Sequence, residues 1–282
     1  MKGSVGEEGY ALLAAVASIA IFSAMAITML SATRMGFEDA RAEQAQLQAS
    51  AAADAGIAMA LSRLLADDVV QRWSIDGRVR AMTYGPASLR IRIEDEQGKV
   101  PLGILTETQA TRLLEQAGLT GDRLLIARDS LLDWTDDDDE IRPFGAEYQY
   151  YHAARIVPPG GFFASVDELG LVRGFDADIV ARIRPYVTTF TVAKGFDAKY
   201  ADPRALAVMQ DSGEGSPAAI DRARELAGQR TAIEITNAAD LVNRPISIDV
   251  SATLPDGGRA THRMIVELTG ARSKPYLVRA YE

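Results

Sequence analysis

An uncharged apolar stretch close to the amino terminus constrains this chain more than any other feature. No charged residue occurs between Glu8 and Arg34. A membrane-spanning helix needs about 20 predominantly apolar residues, so residues 10–30 are long enough to span a bilayer. A cleaved signal peptide has a shorter apolar core followed by a small-residue cleavage site, and this core is too long for one. A plain signal anchor and the head of a longer helix both remain as interpretations.

The apolar stretch passes into a segment with strong helical character. Residues 36–68 contain no proline and are rich in alanine, glutamate, glutamine and arginine, most of which have high helix propensity. Apolar residues recur there at helical spacing: Leu47, Ala51, Ala55, Ala58, Met59, Leu61 and Leu65. The two segments together predict one continuous helix from Tyr10 to Leu65, about 80 Å long at 1.5 Å per residue.

The rest of the chain changes character twice. Leu89, Ile91 and Ile93 alternate with charged residues, a strand pattern. Residues 100–240 carry helix signals, including capping boxes at Thr106 and Ser165. Residues 241–282 return to strand alternation around the turn sequence PDGG. The simplest account is an α+β fold in which the long helix packs on an antiparallel sheet. A large all-α domain, residues 100–240, is then inserted into that sheet.

An acidic segment at residues 133–147 is the most unusual local feature. Five consecutive carboxylates run from Asp136 to Glu140, and like charges this close repel unless water or a cation separates them. Calcium takes six to eight oxygen ligands and tolerates irregular loops. Four side chains could converge on one ion if the loop folds back at Pro143 and Gly145: Asp133, Asp136, Asp138 and Glu147. A solvated acidic loop beyond a helix end is the other interpretation, and it is the commoner one for charge runs.

The composition argues against several functional classes. The net charge is −9, which disfavours a phosphate-backbone partner because no basic patch is evident. There is no cysteine, and His152 and His262 are the only histidines, so thiolate chemistry is excluded and a structural role is expected for each histidine. The sequence contains no nucleophile elbow, no phosphate-binding loop and no dinucleotide fingerprint. We therefore expect a protein that is not an enzyme.

The amino terminus resembles that of type IV pilins and pseudopilins, since a short polar leader and the Gly9–Tyr10 pair precede the apolar run. The resemblance implies a leader at residues 1–9, prepilin peptidase cleavage between Gly9 and Tyr10, and methylation of the new amine. Residues 10–30 are then the transmembrane half of the helix. Most of the family has glutamate at the fifth mature position, where this chain has Ala14. In the family this carboxylate pairs with the amino terminus of a neighbouring subunit, so a subunit without it lacks that contact.

Two later stretches make the resemblance more specific. "LLDWTDDDDEIRPFGAEYQYY" and "GGFFASVDELGLVRGFDADIVARIRPYVT" resemble the α-domain of the K-type minor pseudopilins of type II secretion. "EDEQGKV" resembles the strand end that precedes that domain, and Ala14 matches the family's missing glutamate. The family's next segment is not matched by "TFTVAKGFDAKYADPRALAVM", so the carboxyl-terminal limit of the inserted domain is open. Residues 31–99 and 241–282 would form the pilin-like domain around it.

The family resemblance also implies a function. It implies a single-pass inner-membrane protein with its bulk in the periplasm, located at the tip of the pseudopilus. There it would cap the major pseudopilin rod and nucleate assembly with I- and J-type minor pseudopilins. Family members bind metal near the acidic segment, which implies calcium at Asp133, Asp136, Asp138 and Glu147.

Three other functions stay open. A minor type IV pilin at a pilus tip would share the same architecture and would serve adhesion or DNA uptake. Residues 165–183 also look like a helix-hairpin-helix, a nucleic-acid-binding motif, although the acidic charge argues against a nucleic-acid partner. The third alternative is a membrane-anchored periplasmic enzyme.

Overall fold

The first element of the molecule is one unbroken helix. The computed structural model describes residues 5–190, 195–210 and 241–282, without the side chains of residues 5–14, 27, 30–36 and 200. Helix α1 (Val5–Leu64) is 60 residues long and ends with Arg63 in its last turn, where a cation complements the helix dipole. The predicted continuous helix is confirmed. Within the described residues, no helix combines the length and the mean hydropathy that crossing a membrane requires.

The carboxyl-terminal part of α1 packs on an antiparallel sheet of five strands in the order β1-β2-β5-β6-β7. The strands of this sheet are β1 (Arg80–Tyr84), β2 (Ala87–Asp95), β5 (Pro245–Thr253), β6 (Arg259–Leu268) and β7 (Tyr276–Tyr281). The predicted strand around residues 89–93 and the three carboxyl-terminal strands are confirmed. Strand β1 was not predicted from the sequence. The α+β class and the pilin-like helix on its sheet are as predicted.

Small side chains let α1 approach the sheet closely. Ala49, Ala53 and Ala60 are fully buried on its inner face, and at Gly56 a Cβ would lie 2.6 Å from Val250 Cγ1. The apolar residues that predicted the helix do not form this inner face: Leu61 is buried, whereas Leu47, Ala51, Ala58 and Leu65 are exposed. Alanine and glycine therefore determine which face of α1 is buried. A bulkier residue on this face would prevent the helix from packing closely on β5.

The inserted domain leaves the sheet after β2 and returns before β5. Its helices are α2 (Glu107–Gln116), α3 (Gly121–Thr135), α4 (Tyr148–Tyr151), α5 (Ala177–Ile183) and α6 (Pro203–Val208). Two short strands, β3 (Val100–Pro101) and β4 (Val187–Thr188), pair in parallel beside them. The domain has its own core, separate from the core between α1 and the sheet. Residues 191–194 and 211–240 lie outside the described residues, so the predicted limit at residue 240 stays a prediction.

The two predicted capping boxes have different outcomes. Thr106 and Gln109 form the reciprocal pair of hydrogen bonds at the start of α2, so that prediction is confirmed. Ser165 precedes a 3-10 helix (residues 166–171) and its side chain makes no cap bond there. Glu168 instead accepts hydrogen bonds from the indole of Trp134 and the backbone N–H of Ala164. The second capping box was therefore wrong, because Glu168 turns inward to satisfy a buried tryptophan.

Candidate functional site

The residues predicted to be processed lie in the first turns of α1. Gly9, Tyr10 and Ala14 are helical in backbone, and their side chains lie outside the described part of the chain. The cleavage between Gly9 and Tyr10 and the effect of Ala14 on subunit pairing therefore remain predictions.

The acidic segment begins inside a helix and ends in a loop. Asp133 lies in the last turn of α3 and Asp136 is its C-cap. Asp133 is buried, whereas Asp138 is exposed and accepts a hydrogen bond from the backbone N–H of Glu140 at 2.8 Å. The loop folds back onto α3 at Gly145, where a Cβ would overlap the Asp133 carboxylate, 2.7 Å from its Cγ. Only glycine allows the backbone to pass this close to Asp133.

An arginine bridges the two aspartates. The Arg142 guanidinium donates to Asp133 Oδ1 at 2.6 Å and also to Asp136 Oδ2, and the Arg142 backbone N–H donates to Asp133 Oδ2 at 3.3 Å. Burial raises the pKa of Asp133, and the bonds to Arg142 oppose that rise. Sequence reasoning missed Arg142, although it is the one cation within the acidic segment.

Glu147 is the least compensated carboxylate in this group. It is 4% exposed, and its Oε1 has no hydrogen-bond partner among the described residues. Burial raises the pKa of Glu147 to about 7, with Asp133 and Asp136 adding repulsion. Asp136 Oδ1 is likewise buried without a partner. Buried oxygens left unpaired are costly, so this pocket holds more negative charge than Arg142 alone offsets.

The four predicted calcium ligands have suitable donor atoms, but their placement suits calcium less well. Their donors are all carboxylate oxygens, which calcium prefers, and two of the buried oxygens are unpaired. In the part of the chain that the structure describes, however, no three carboxylate or histidine side chains are placed to hold one metal ion. Arg142 lies where it contacts both aspartates, and Asp138 faces away into solvent. The structure thus brings Asp133, Asp136 and Glu147 to one region and leaves Asp138 outside it.

An aromatic cluster packs against this region. The Trp134 ring lies 5.1 Å from the Tyr151 ring in an edge-to-face arrangement and 6.4 Å from that of Phe163. These three rings are buried, so Tyr151 of "YQYY" and Phe163 of "GGFF" contribute to the packing of the domain. Tyr150 and Phe162 are exposed at 55% and 63%.

A buried group of charges fastens the inserted domain to the sheet. The Lys99 ammonium lies 2.7 Å from Glu96 and 3.1 Å from Glu94. Glu96 also accepts from the Thr188 hydroxyl at 2.6 Å and from Arg263 on β6 at 3.2 Å. Burial alone would raise the pKa of Glu96, but Lys99 and Arg263 outweigh it and lower the pKa. Thr188 belongs to the insertion and Arg263 to the sheet, so Glu96 joins the two parts.

A second group of ion pairs lies where the chain leaves the sheet for the inserted domain and returns to it. Arg244, just before β5, binds Asp95 at the end of β2 and Asp197 of the insertion, the latter at 2.7 Å. Asp95 has its side chain fully buried. The chain therefore leaves and re-enters the sheet at points held together by one guanidinium. Of these three charges only Asp95 lies in the "EDEQGKV" stretch, and their pairing was not predicted.

His262 connects α1 to the sheet. Its Nδ1 lies 2.6 Å from Asp54 Oδ1 and its Nε2 lies 3.2 Å from Ser50 Oγ. The set has the residue types of a serine hydrolase triad, but Ser50 lies in the interior of α1, where the backbone N–H groups are used in helix bonds. The N–H groups of α1 around Ser50 are therefore not free to stabilise an oxyanion. His262 therefore acts as a polar tie between helix and strand.

Comparison with known proteins points to one family. Residues 95–192 match the family model described as Type II secretion system (T2SS), protein K. A stretch of 80 residues is 36% identical to type II secretion system protein K of Aeromonas hydrophila. That stretch is 27% of this chain and spans about a quarter (24%) of the relative's length.

A solved structure shares the fold. A chain in the crystal structure of the GspK-GspI-GspJ complex from the enterotoxigenic Escherichia coli type 2 secretion system superposes with a TM-score of 0.50. The match covers 89% of this chain and 98% of that chain, at 16% sequence identity. The residues matched by the family model, 95–192, belong to the inserted domain that carries the acidic segment. Residues 95–192 are thus similar to type II secretion system protein K, and the solved structure shows a similar fold.

Proposed function

We propose that this protein is a minor pseudopilin at the tip of the type II secretion pseudopilus. It caps the rod and, with I- and J-type companions, nucleates its assembly for export of folded proteins across the outer membrane. The observation that carries this proposal is the family match over residues 95–192, on a domain inserted into a pilin-like helix and sheet. The role is structural rather than catalytic.

The rigid attachment of the inserted domain supports a capping role. A cap must transmit force to the rod, so it cannot swing freely on a linker. Glu96, Lys99 and Thr188 join the domain to the sheet through buried charge-assisted bonds, and Arg244 holds together the points where the chain leaves and re-enters the sheet. Charge-assisted bonds of this kind are about twice as strong as neutral ones.

The amino-terminal half of the proposal concerns processing and packing. Prepilin peptidase cleaves between Gly9 and Tyr10, the new amine is methylated, and residues 10–30 reside in the inner membrane before extraction into the rod. The bulk of the chain is periplasmic. Afterwards α1 packs beside helices of the major pseudopilin and the companions. Exposed apolar side chains on its outer face suit this packing, among them Phe37 at 71% and Leu47 at 64% exposure.

Calcium at the acidic segment belongs to the same proposal. Asp133, Asp136 and Glu147 would hold the ion, with Asp138 reaching in from the loop. The unpaired oxygens of Asp136 and Glu147 support it, since a divalent cation would satisfy both. Calcium would stabilise the loop and take no part in chemistry.

Co-purification tests the assembly. The full chain is co-expressed with candidate I- and J-type subunits and isolated through a tag on the K-type chain, with and without calcium. We expect a complex that contains both companions. Recovery of type IV pilus subunits instead, or of no pilin-like partner, overturns the proposal.

A helix variant adds specificity to the experiment. Leu47→Glu places a charge on the exposed apolar face of α1 and is expected to weaken the complex. Gln48→Glu is the matched control, because it adds the same charge to the same helix without removing an apolar side chain, and it should leave the complex intact. Equal losses from both variants would mean that charge alone, and not apolar packing, sets the affinity.

A further inference from the structure

A basic cleft lies on the opposite side of the sheet from α1. It has a volume of about 310 Å³ and lies between the outer face of β2, β5 and β6 and the turn at residues 184–186 of the inserted domain. Five basic side chains line it: Arg90, Arg92, Lys99, Arg184 and Arg263. Two carboxylates, Glu94 and Asp249, share the lining. In a chain of net charge −9, such a local excess of cations is unusual.

Three of these cations have carboxylate partners. Lys99 and Arg263 share Glu96, at 2.7 and 3.2 Å, Arg263 also lies 3.7 Å from Asp249, and Arg184 pairs with Asp167. The remaining positive charge of the cleft is thus concentrated at the two arginines on the outer face of β2.

Those two arginines have fewer carboxylate contacts than the other three cations. Arg92 lies 3.5 Å from Glu94, which is also bound by Lys99 at 3.1 Å, and Arg92 is paired in register with Asp249, which lies 3.7 Å from Arg263. Arg90 is exposed and makes no ion pair within the described residues. Because side chains two apart on a strand lie on one face, roughly 6–7 Å from each other, both guanidinium groups can reach one carboxylate.

Hydroxyl groups extend this arrangement across the sheet. Arg90 is paired in register with Ser251 on β5, and Ser251 with Thr261 on β6. Both hydroxyl residues line the cleft, and neither side chain makes a hydrogen bond within the part of the chain that is described. Arg90, Ser251 and Thr261 therefore form a row of available donors, and Arg92 stands beside it.

We infer that this cleft binds an acidic peptide segment of a partner protein, with a carboxylate side chain held between Arg90 and Arg92. Arginine matches the planar carboxylate with two parallel bonds. The volume is at the low end for a small-molecule site, about 300 Å³, which suits one or two side chains of a protein loop. The cleft faces away from α1, so it stays open when α1 is covered by other helices. The inference does not depend on the pseudopilus, because it concerns the cleft alone.

A peptide titration tests the inference on the full chain. The probe is a fluorescent hexapeptide of alternating Asp and Glu, and its anisotropy is followed at low ionic strength, where exposed charges are least screened. We expect saturable binding that weakens with salt, and none of a hexapeptide of Asn and Gln. Arg90→Gln and Arg92→Gln should each weaken binding by about tenfold, the loss of one charge-assisted contact.

Two further variants keep the test sharp. Arg272→Gln makes the same change at an exposed arginine outside the cleft, and it should bind the peptide like the parent chain. Arg90→Lys keeps the charge but loses the bidentate geometry, so binding should fall by less than in Arg90→Gln. The inference is overturned if Arg272→Gln weakens binding as much as Arg90→Gln. It is also overturned if inorganic phosphate at equal concentration displaces the peptide, because the cleft would then be a site for small anions.

Discussion

The imidazole of His262 on β6 lies 2.6 Å from the carboxylate of Asp54 on α1, measured from Nδ1 to Oδ1. Tyr281 on β7 donates its hydroxyl to the same carboxylate. These hydrogen bonds join the long helix to two neighbouring strands at one point. The bond from Tyr281, ahead of that from His262, lowers the pKa of Asp54.

Asp54→Asn should therefore weaken the fold in a pH-dependent way. A lowered pKa in the folded state means that the stabilisation is present above about pH 4 and is lost as the pH falls below it. At pH 7 we expect a loss of about 1 kcal/mol, the net value of a typical hydrogen bond, because the Asp54 side chain is half exposed and solvent screens its charge. Urea unfolding of the full chain at pH 7 and at pH 3 measures it.

The control for this substitution lies on the same helix. Asp39→Asn removes an exposed carboxylate of α1 and should leave the free energy of unfolding unchanged at both pH values. If Asp54→Asn costs as much at pH 3 as at pH 7, the carboxylate charge is not what holds the helix to the sheet.

Gly145 offers a steric test of the acidic loop. A Cβ there would overlap the buried Asp133 carboxylate, 2.7 Å from its Cγ, and would push it away from Arg142. We expect Gly145→Ala to destabilise the protein by about 1–3 kcal/mol, the usual cost of overpacking. Gly170→Ala is the matched control, because nothing lies within 4 Å of its Cβ. Urea midpoints of the two variants that coincide would contradict the close passage of Gly145 over Asp133.

Local sequence patterns predicted those helices and strands in which apolar residues recur at regular spacing. The alternation of Leu89, Ile91 and Ile93 is a strand because one face of β2 meets α1 and the other faces water. Strand β1 escaped prediction because its residues lie at a sheet edge, where burial does not alternate cleanly. The apolar spacing of Leu47 and its neighbours predicted the helix but not its buried face, since spacing cannot tell a face that meets the sheet from one that is exposed.

Contacts between distant residues could not be predicted in the same way. Arg244 and Asp95 are 149 positions apart, and only the return of the chain to the sheet brings them together. Thr188 and Glu96 are 92 positions apart. Arg142 is different: it is the one cation inside the acidic segment, and local charge balance alone would have suggested its role between Asp133 and Asp136.

Asp95 should give the molecule a distinct pH profile. Burial raises the pKa of Asp95 to about 6 despite its pairing with Arg244, whereas a solvated aspartate has a pKa of about 3.9. Between about pH 4 and pH 6, Asp95 is therefore protonated in the folded protein and ionised in the unfolded chain. The contribution of Asp95 to the free energy of unfolding is at its maximum below about pH 4 and is lost as the pH rises through about 6.

Asp95→Asn should remove that loss. Relative to the parent chain, its free energy of unfolding should rise by roughly 3 kcal/mol between pH 4 and pH 7, as follows from about two pKa units. Urea unfolding in steps of one pH unit measures the difference, and the exposed Glu115→Gln serves as control with a flat difference. A flat difference for Asp95→Asn as well would show that Asp95 is ionised throughout this range.

Processing can be tested at one glycine. Gly9→Asp places bulk and charge at the proposed cleavage point and should leave the leader attached, whereas Gly3→Asp, also in the leader, should be cleaved normally. Mass spectrometry of the amino-terminal peptide distinguishes a chain that begins at Met1 from one that begins at methylated Tyr10. A parent chain that begins at Met1 would refute the proposed cleavage.

Calcium should reverse the effect of one substitution. Without calcium, Glu147→Gln removes a buried carboxylate repelled by Asp133 and Asp136, so we expect it to raise the unfolding temperature. With calcium in excess, the parent chain gains stability by mass action, about 2.7 kcal/mol at one hundred times the dissociation constant, and Glu147→Gln does not. The variant is then the less stable of the two. Asp178→Asn, an exposed position elsewhere in the domain, should respond to calcium like the parent. If calcium leaves the unfolding temperature of the parent chain unchanged, these carboxylates hold no ion, and Arg142 is the only cation that the acidic loop uses.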